Sequence, residues 1–473
     1  MGIPELPVPN GLVLRPFRGV RFAVEDPAKV TSPPYDLISD ADVDALLKLH
    51  PNNVVRLILP CPNPGNSSPA TTTTDSGAGV ARPAAVPLEA RYADARDTLR
   101  AWLEAGILVP DEAPALYVYE QSGPGVVQRG LIGDVGLADP GQHIILPHED
   151  VMPGPVADRL ALMSTTKANL EPIFLLYEGA DRAASRLVDE VATKRHPLVT
   201  AHTEDGLTHR LWAITDETEI AAINADLRDR QALIADGHHR YATYRVLQRQ
   251  ERATRRPPRP DHPKRDNRAA EHAEEGRPSP VGGLLAPWDF GLALLVDSTA
   301  YPPDLKAIHR VIPGLPLAEA TAKARGSWRV RDFDDLAEGL AELENAQEPA
   351  FLLAGANGVH LLTDPDPVQL AHAMPPDHSD RWNALNTSIL TEFVLPKVWG
   401  MRDDEETVRI VHHDAEAAVR LAARTGGTAV ILKPLAIDDV LAVAAGGERV
   451  PRKSTSFGPK PRTGLVLRTF AID

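Results

Sequence analysis

The chain has 473 residues, 43% hydrophobic and 24% charged, with 50 Lys and Arg against 65 Asp and Glu and a net charge of −15. That composition excludes global disorder and suits about two to four domains or one large composite unit. The negative balance disfavours nucleic acid as a partner, and no apolar run approaches the length of a membrane span. The single cysteine, Cys61, excludes an intramolecular disulfide framework, and the first residues lack a secretory pattern, so the cytoplasm is the expected compartment.

In chain order, Asn53–Leu59 reads as a strand, Leu88–Ala105 as an amphipathic helix, and Leu116–Glu120 and Leu131–Leu137 as strands. Pro155–Thr166 reads as a helix and Pro172–Leu176 as a strand. Arg182–Lys194 and Glu217–Arg230 read as helices on either side of a strand at Thr208–Ala213. Ala232–Ala235 is a short apolar strand, followed by a helix over His238–Gln250. Beyond residue 290 the mixture continues, with strands at Leu292–Val296, Ala350–Leu353, Val359–Leu362, Thr428–Leu432 and Leu465–Leu467. Helices are expected at Leu317–Arg325, Phe333–Glu344, Asn386–Val394, Ala415–Thr425 and Ile437–Ala445. The fold class is therefore mixed α/β (α+β). Cys61–Ala85 and Glu251–Gly283 lack large apolar residues at any period and read as two low-complexity loop insertions. The expected organisation is a 1–300 α/β region and a 301–473 C-terminal α/β region, whose last loop folds back onto the first.

The sharpest feature is Asp236-Gly237-His238-His239-Arg240-Tyr241, where an apolar strand hands over to a helix. A helix N-terminus offers unpaired N–H groups and partial positive charge, and Gly237 lets a ligand approach the backbone. Cations in a first turn oppose the dipole, so His238, His239 and Arg240 there point to a bound phosphate or carboxylate. Asp236 would serve as a magnesium ligand, a general base or the helix cap. A second cluster, Lys453-Ser454-Thr455-Ser456-Phe457-Gly458-Pro459-Lys460, offers point charges and hydroxyl donors to an oxyanion. It lacks the glycine spacing of a P-loop. Weaker candidates are Tyr35 and Asp36 on a Pro-Pro turn, His148 with Glu149 and Asp150, and His309 with Arg310. His412-His413-Asp414 reads as a surface turn before a helix. There is no Gly-x-Ser-x-Gly elbow and no Gly-x-Gly-x-x-Gly.

These segments together resemble the bacterial and archaeal family known as domain of unknown function 1015. The matching stretches are Pro16–Arg21, Ser32–Asp36, Tyr117–Gln121, Arg129–Leu131, Pro147–Glu149, Ala235–Tyr241, His309–Val311 and Lys453–Lys460. More distantly, the Asp236–Tyr241 turn is similar to the phosphate-binding turn of the ParB and sulfiredoxin-like superfamily. That similarity implies a ParB/sulfiredoxin-like core and nucleotide or phosphoester handling around Gly237–Arg240. His238 and His239 stand where sulfiredoxin carries its cysteine, which disfavours sulfinate reduction. The family's association with serine-biosynthesis genes implies an amino-acid or phospho-amino-acid substrate.

The expected function is phosphate-ester or nucleotide handling, as a phosphotransferase or phosphohydrolase on a small metabolite. Asp236, His238, His239, Glu149 and Lys453 would be catalytic. Gly237, Arg240, Tyr241, Tyr35, Asp36, His148, His309, Arg310, Ser454, Thr455 and Lys460 would hold a small anionic or phosphorylated ligand. Mg²⁺ on Asp236 and Glu149, and a nucleotide, are the expected cofactors. The alternatives are a nucleotide-binding switch with little turnover and, weakest, a ParB-like DNA-associated protein.

Overall fold

The computed structural model describes residues 6–60, 88–180, 182–254, 285–404 and 406–472. Cys61, the insertion 61–85 and the second insertion beyond Thr254 lie outside them. Glu251–Thr254, expected to open that insertion, instead complete the helix His238–Thr254.

Two sheets organise the chain. The larger is nine-stranded. Its strands are β1 (Leu14–Arg15), β2 (Leu116–Gly123), β3 (Val126–Gly136), β4 (Ile145–Leu146), β5 (Ile173–Tyr177), β6 (Val199–His202), β7 (Thr208–Ile214), β8 (Ala232–Asp236) and β9 (Phe290–Asp297). They lie in the order β4-β8-β5-β9-β3-β2-β7-β6, with β1 beside β3. The sheet is mixed: β8 runs parallel to β4 and antiparallel to β5, while β9 is parallel to β5. The second sheet contains β10 (Ile308–Ile312), β11 (Arg329–Phe333), β12 (Phe351–Gly355), β13 (Gly358–Thr363), β14 (Arg409–His412) and β15 (Thr428–Ile431). Its order is β11-β13-β12-β15-β10-β14, antiparallel throughout.

The period-2 alternation of a strand sends successive side chains to opposite faces. Ala232 and Ile234 of β8, with Ile173, Leu175 and Tyr177 of β5, face one core, where Val188, Ile223, Tyr241, Tyr244 and Leu247 of three helices pack. Leu233, Ala235, Phe174 and Leu176 face the other core. Covering that second face are Val440 and Val443 of the helix Ile437–Ala445, together with Phe457, Leu465 and Val466. The C-terminal segment is thus built into the large sheet's underside. Leu467 exchanges backbone hydrogen bonds with Val20 at 2.8 Å, and Ser32 with Thr463 at 2.9 and 3.0 Å.

Several expected elements differ. Asn53–Leu59 is not a strand but the helical turn Val55–Ile58, because the Asn53 amide both receives the Val55 N–H at 2.9 Å and donates to the Lys29 and Thr31 carbonyls. A short apolar run cannot by its period distinguish the two states. The helix expected from Phe333 starts at Leu336, capped by Asp335, since Phe333 ends β11. Leu465–Leu467 is irregular; the short strand there is Arg468–Thr469, paired with Ala168–Asn169. His412 ends β14, so the His412–Asp414 turn is the exit of a strand. His309 and Arg310 lie inside β10.

Candidate functional site

Strand β8 and the helix His238–Thr254 are joined by one residue, Gly237, with φ +94°. A Cβ there would stand 2.9 Å from Ile173 Cγ2, so both the backbone and the packing require glycine. Gly237→Ala is expected to destabilise the protein by about 1–3 kcal/mol, measurable by urea unfolding.

The charge distribution at this turn differs from the expected cluster of three cations. Burial drives His238 well below the ordinary imidazole value, and the neighbouring His148 lowers it further. The His148 and His238 rings meet edge to face at 4.5 Å, and burial pushes His148 down to about 3. His238 Nε2 accepts the His148 backbone N–H at 3.3 Å, so His238 is a structural post rather than a cation. His239 is partly exposed, and burial and then the Lys453 ammonium lower its pKa. Its Nε2 accepts the Met152 N–H at 3.1 Å, leaving Nδ1 to carry the hydrogen.

Arg240 does carry charge, and its neighbours neutralise it. Its guanidinium pairs with Asp236 Oδ2 at 2.6 Å and donates to the Pro172 carbonyl at 2.6 Å. Burial alone would lower its pKa, but Glu171, Asp236 and Asp36 outweigh that and hold it raised. The other Asp236 oxygen binds Lys460 Nζ at 2.6 Å, and the same ammonium reaches Asp36 at 3.1 Å. Burial opposes the charge of Lys460, but the two carboxylates outweigh it and raise its pKa. Asp36, which burial alone would raise, is held low by Lys460 and Arg240. Tyr35 N–H donates to Glu171 at 3.0 Å, and the Tyr35 ring lies 4.3 Å from the Arg159 guanidinium and 5.9 Å from that of Arg240. Burial pushes the Tyr35 phenol up to about 12, so it stays protonated at neutral pH.

Glu149 is held by the C-terminal loop. Burial raises its carboxyl above the ordinary value, opposed by Lys453 and by a 3.1 Å hydrogen bond from Thr455. Thr455 Oγ1 also lies 2.8 Å from His148 Nε2. A threonine hydroxyl has one hydrogen to give, and an ionised carboxylate can only accept. With Glu149 ionised, Thr455 therefore donates to Glu149 and His148 Nε2 donates to Thr455. Lys453, at φ +54°, makes no ion pair among the described residues, and its charge acts on both His239 and Glu149.

Other expected site residues have structural partners instead. The Tyr241 hydroxyl is consumed by Ala138, donating to its carbonyl at 2.7 Å and accepting its N–H at 3.0 Å, inside the core. Ser454 is buried and donates to the Pro451 carbonyl at 2.6 Å. His309 Nδ1 accepts the Leu432 N–H at 3.3 Å. Arg310, 1% exposed, cannot meet a ligand; it donates to the Arg452 and Lys453 carbonyls at 3.0 and 2.9 Å and so positions the loop. Among the described residues, no three His, Cys, Asp or Glu side chains converge closely enough to hold a metal. Asp236, expected to share Mg²⁺ with Glu149, has both oxygens on cations. Residues not anticipated include Glu171, Arg159 and Arg462. Glu171 stands alone between Leu170 and Pro172 at the entry to an apolar strand, and an acid in that setting is the signal for it.

The turn, the Pro-Pro loop and the C-terminal loop thus assemble a mixed-charge site on one end of a two-sided mixed sheet. The chain belongs to the family described as protein of unknown function (DUF1015), whose profile matches residues 14–388. The Lys453–Lys460 loop lies beyond the matched residues. No curated protein matches. Solved structures with some similarity include SbnI with a C-terminal truncation from Staphylococcus aureus, at TM-score 0.34 and 10% identity, covering 72% of this chain and 88% of that one. A free serine kinase in complex with AMP scores 0.34 at 11% identity, covering 73% and 93%. A conserved hypothetical protein from Pyrococcus furiosus scores 0.34 at 11% identity, covering 73% and 97%. Similarity this slight carries no argument about the reaction. No helix among the described residues is long and apolar enough to cross a membrane.

Proposed function

We propose that the protein is a phosphotransferase or phosphohydrolase acting on a small phosphorylated metabolite or nucleotide, as the turn's likeness to the ParB and sulfiredoxin-like superfamily implies. The observation that supports this most is the 3.1 Å hydrogen bond by which Thr455 of the C-terminal loop holds the Glu149 carboxyl, with the charge of Lys453, which makes no ion pair among the described residues, acting on both Glu149 and the neutral His239. Phosphoryl transfer needs positive charge and hydrogen-bond donors around the equatorial oxygens and little covalent help. Lys453, His239 Nδ1–H and the N–H groups at the start of the helix supply these. Glu149 takes the proton of the attacking hydroxyl or water, while Thr455 and His148 hold its carboxylate in place. Asp236, Arg240, Lys460 and Asp36 fix the geometry of the turn.

The reading is tested by a thermal-shift screen with nucleotides, phosphoserine and serine, each with Mg²⁺, alongside phosphate release from the same panel. A phosphorylated compound is expected to raise the Tm of the parent and to be turned over, and His239→Ala should lose the shift. Equal stabilisation of parent and variant would move the ligand away from this turn. Binding with no turnover of any panel member would leave a nucleotide-binding switch instead.

A further inference from the structure

The His412-His413-Asp414 triplet at the exit of β14 has no part in the chemistry above. Two of its members have structural partners. Asp414 caps the helix Ala415–Arg424 by accepting the Ala417 N–H at 2.7 Å. His413 Nδ1 lies 3.3 Å from the Ala307 carbonyl and so carries the ring hydrogen, while Nε2 accepts from the Ser456 hydroxyl at 3.3 Å. His412 differs. Its imidazole is open to solvent, meets the His413 ring at 5.6 Å between centroids, and makes no hydrogen bond or ion pair among the described residues.

The register of the second sheet places this ring. Residues directly opposite in an antiparallel pair share a face, and so do alternate residues along a strand. Ile308 stands opposite His412 and Arg310 opposite Ile410, so His412 and Arg310 project from the same face. On that face the Arg310 guanidinium donates to the Arg452 and Lys453 carbonyls at 3.0 and 2.9 Å. The loop that carries Lys453 therefore crosses the sheet beside His412, and Ser456, bonded to His413, holds the loop's far end.

The charges around the ring are unbalanced. Arg310 makes no ion pair among the described residues, its Nε has no partner, and burial lowers its pKa to about 10. Lys453 also lacks an ion pair among the described residues. The nearby carboxylates are Glu149, which acts on Arg310, and Asp403, which is paired with Arg452. Lys460 is shared by Asp36 and Asp236. Partial burial, then His413, Lys453, Lys460 and Arg310, push His412 down to about 4, so the ring is neutral at neutral pH. Lys453 acts on Glu149 and His239 as well as on His412, so the ring borders the site at the turn. A free imidazole among cations that lack counter-charges suits a group bearing two negative charges.

We propose that His412 binds the dianionic phosphate of the ligand at this site and takes up a proton from solvent as the anion docks. The imidazolium and Lys453 then meet the phosphate from the C-terminal region, and His239 meets it from the turn. Binding tightens as pH falls, because the bound form holds the proton that the free form releases. The inference rests on the phosphoryl reading for its ligand and adds how pH regulates occupancy.

The test is calorimetric binding of inorganic sulfate, whose charge does not change near neutral pH, to the full chain in two buffers of different ionisation enthalpy. The pair of buffers gives the protons taken up per anion. At about pH 6 the parent should take up about half a proton or more, and bind sulfate about two- to tenfold more tightly than at about pH 8. His412→Gln should lose that uptake and weaken binding at the lower pH, while matching the parent at the higher one. His412→Arg, with its fixed charge, should bind at the higher pH as tightly as the parent does at the lower, without the uptake. Circular dichroism checks that each variant folds. No sulfate binding by the parent, uptake equal in parent and His412→Gln, or a loss of affinity equal at both pH values would overturn the proposal. Phosphate release from the panel above with uptake indifferent to His412 would sink this inference alone. His412-dependent uptake with no release from any ester would sink the phosphoryl reading alone.

Discussion

Replacing Arg240 with methionine is expected to destabilise the folded protein by about 3–5 kcal/mol, the usual cost of removing one partner from a buried ionic network. The side chain is 4% exposed and is the cation shared by Asp236 and Glu171. Glu171 is already raised by burial and is held down chiefly by Arg240 and Arg159. Without Arg240 its carboxyl rises further, so the folded variant favours the protonated form more than the unfolded chain does. The loss should therefore be smaller in acid and grow as pH rises through the folded-state pKa of Glu171. Arg240→Lys keeps the charge but not the planar fork that reaches both Asp236 and the Pro172 carbonyl, and should lose less. Urea midpoints across pH measure this directly. A methionine variant within about 1 kcal/mol of the parent at neutral pH would show that the network does not hold the turn.

Glu149→Gln should lower phosphoryl turnover by about 10²–10⁴-fold, the contribution of a general base. Burial raises the Glu149 carboxyl, so the basic form is populated only above its ordinary range. Turnover by the parent should rise as pH passes through that raised value, and the glutamine variant should lose this acid limb. Thr455→Val removes the hydrogen bond that opposes the shift, and should move the limb to higher pH. Stability has the opposite sign. A carboxyl raised in the folded state contributes stability below its unfolded value, which is lost as pH climbs through the folded one. A pH–rate profile unchanged by Glu149→Gln would remove Glu149 from the chemistry.

The strand–glycine–helix unit at residues 232–250 was legible because its signals are local: an apolar strand, a glycine and a helical period; the last helical turn, Glu251–Thr254, was not. So was the mixed α/β class. The ionisation of the site was not. His238 and His239 look cationic beside Arg240 in sequence, and only the packing of His148 and the C-terminal segment around them makes the imidazoles neutral. Tyr241 reads as part of the motif, but it lies three residues beyond His238 on a helix face that the large sheet buries. Arg310 reads as an anion ligand because its role depends on carbonyls more than a hundred residues later.

The pairing of Val20 with Leu467 and of Ser32 with Thr463 has a consequence for biosynthesis. The backbone groups of Val20 and Ser32 must wait for partners made more than four hundred residues later, and so must Asp36 for Lys460. A nascent chain halted before that stretch could form its second sheet yet would leave Val20, Ser32 and Asp36 without these partners. A protease that trims the same stretch from the finished molecule would remove all three partners in a single cut.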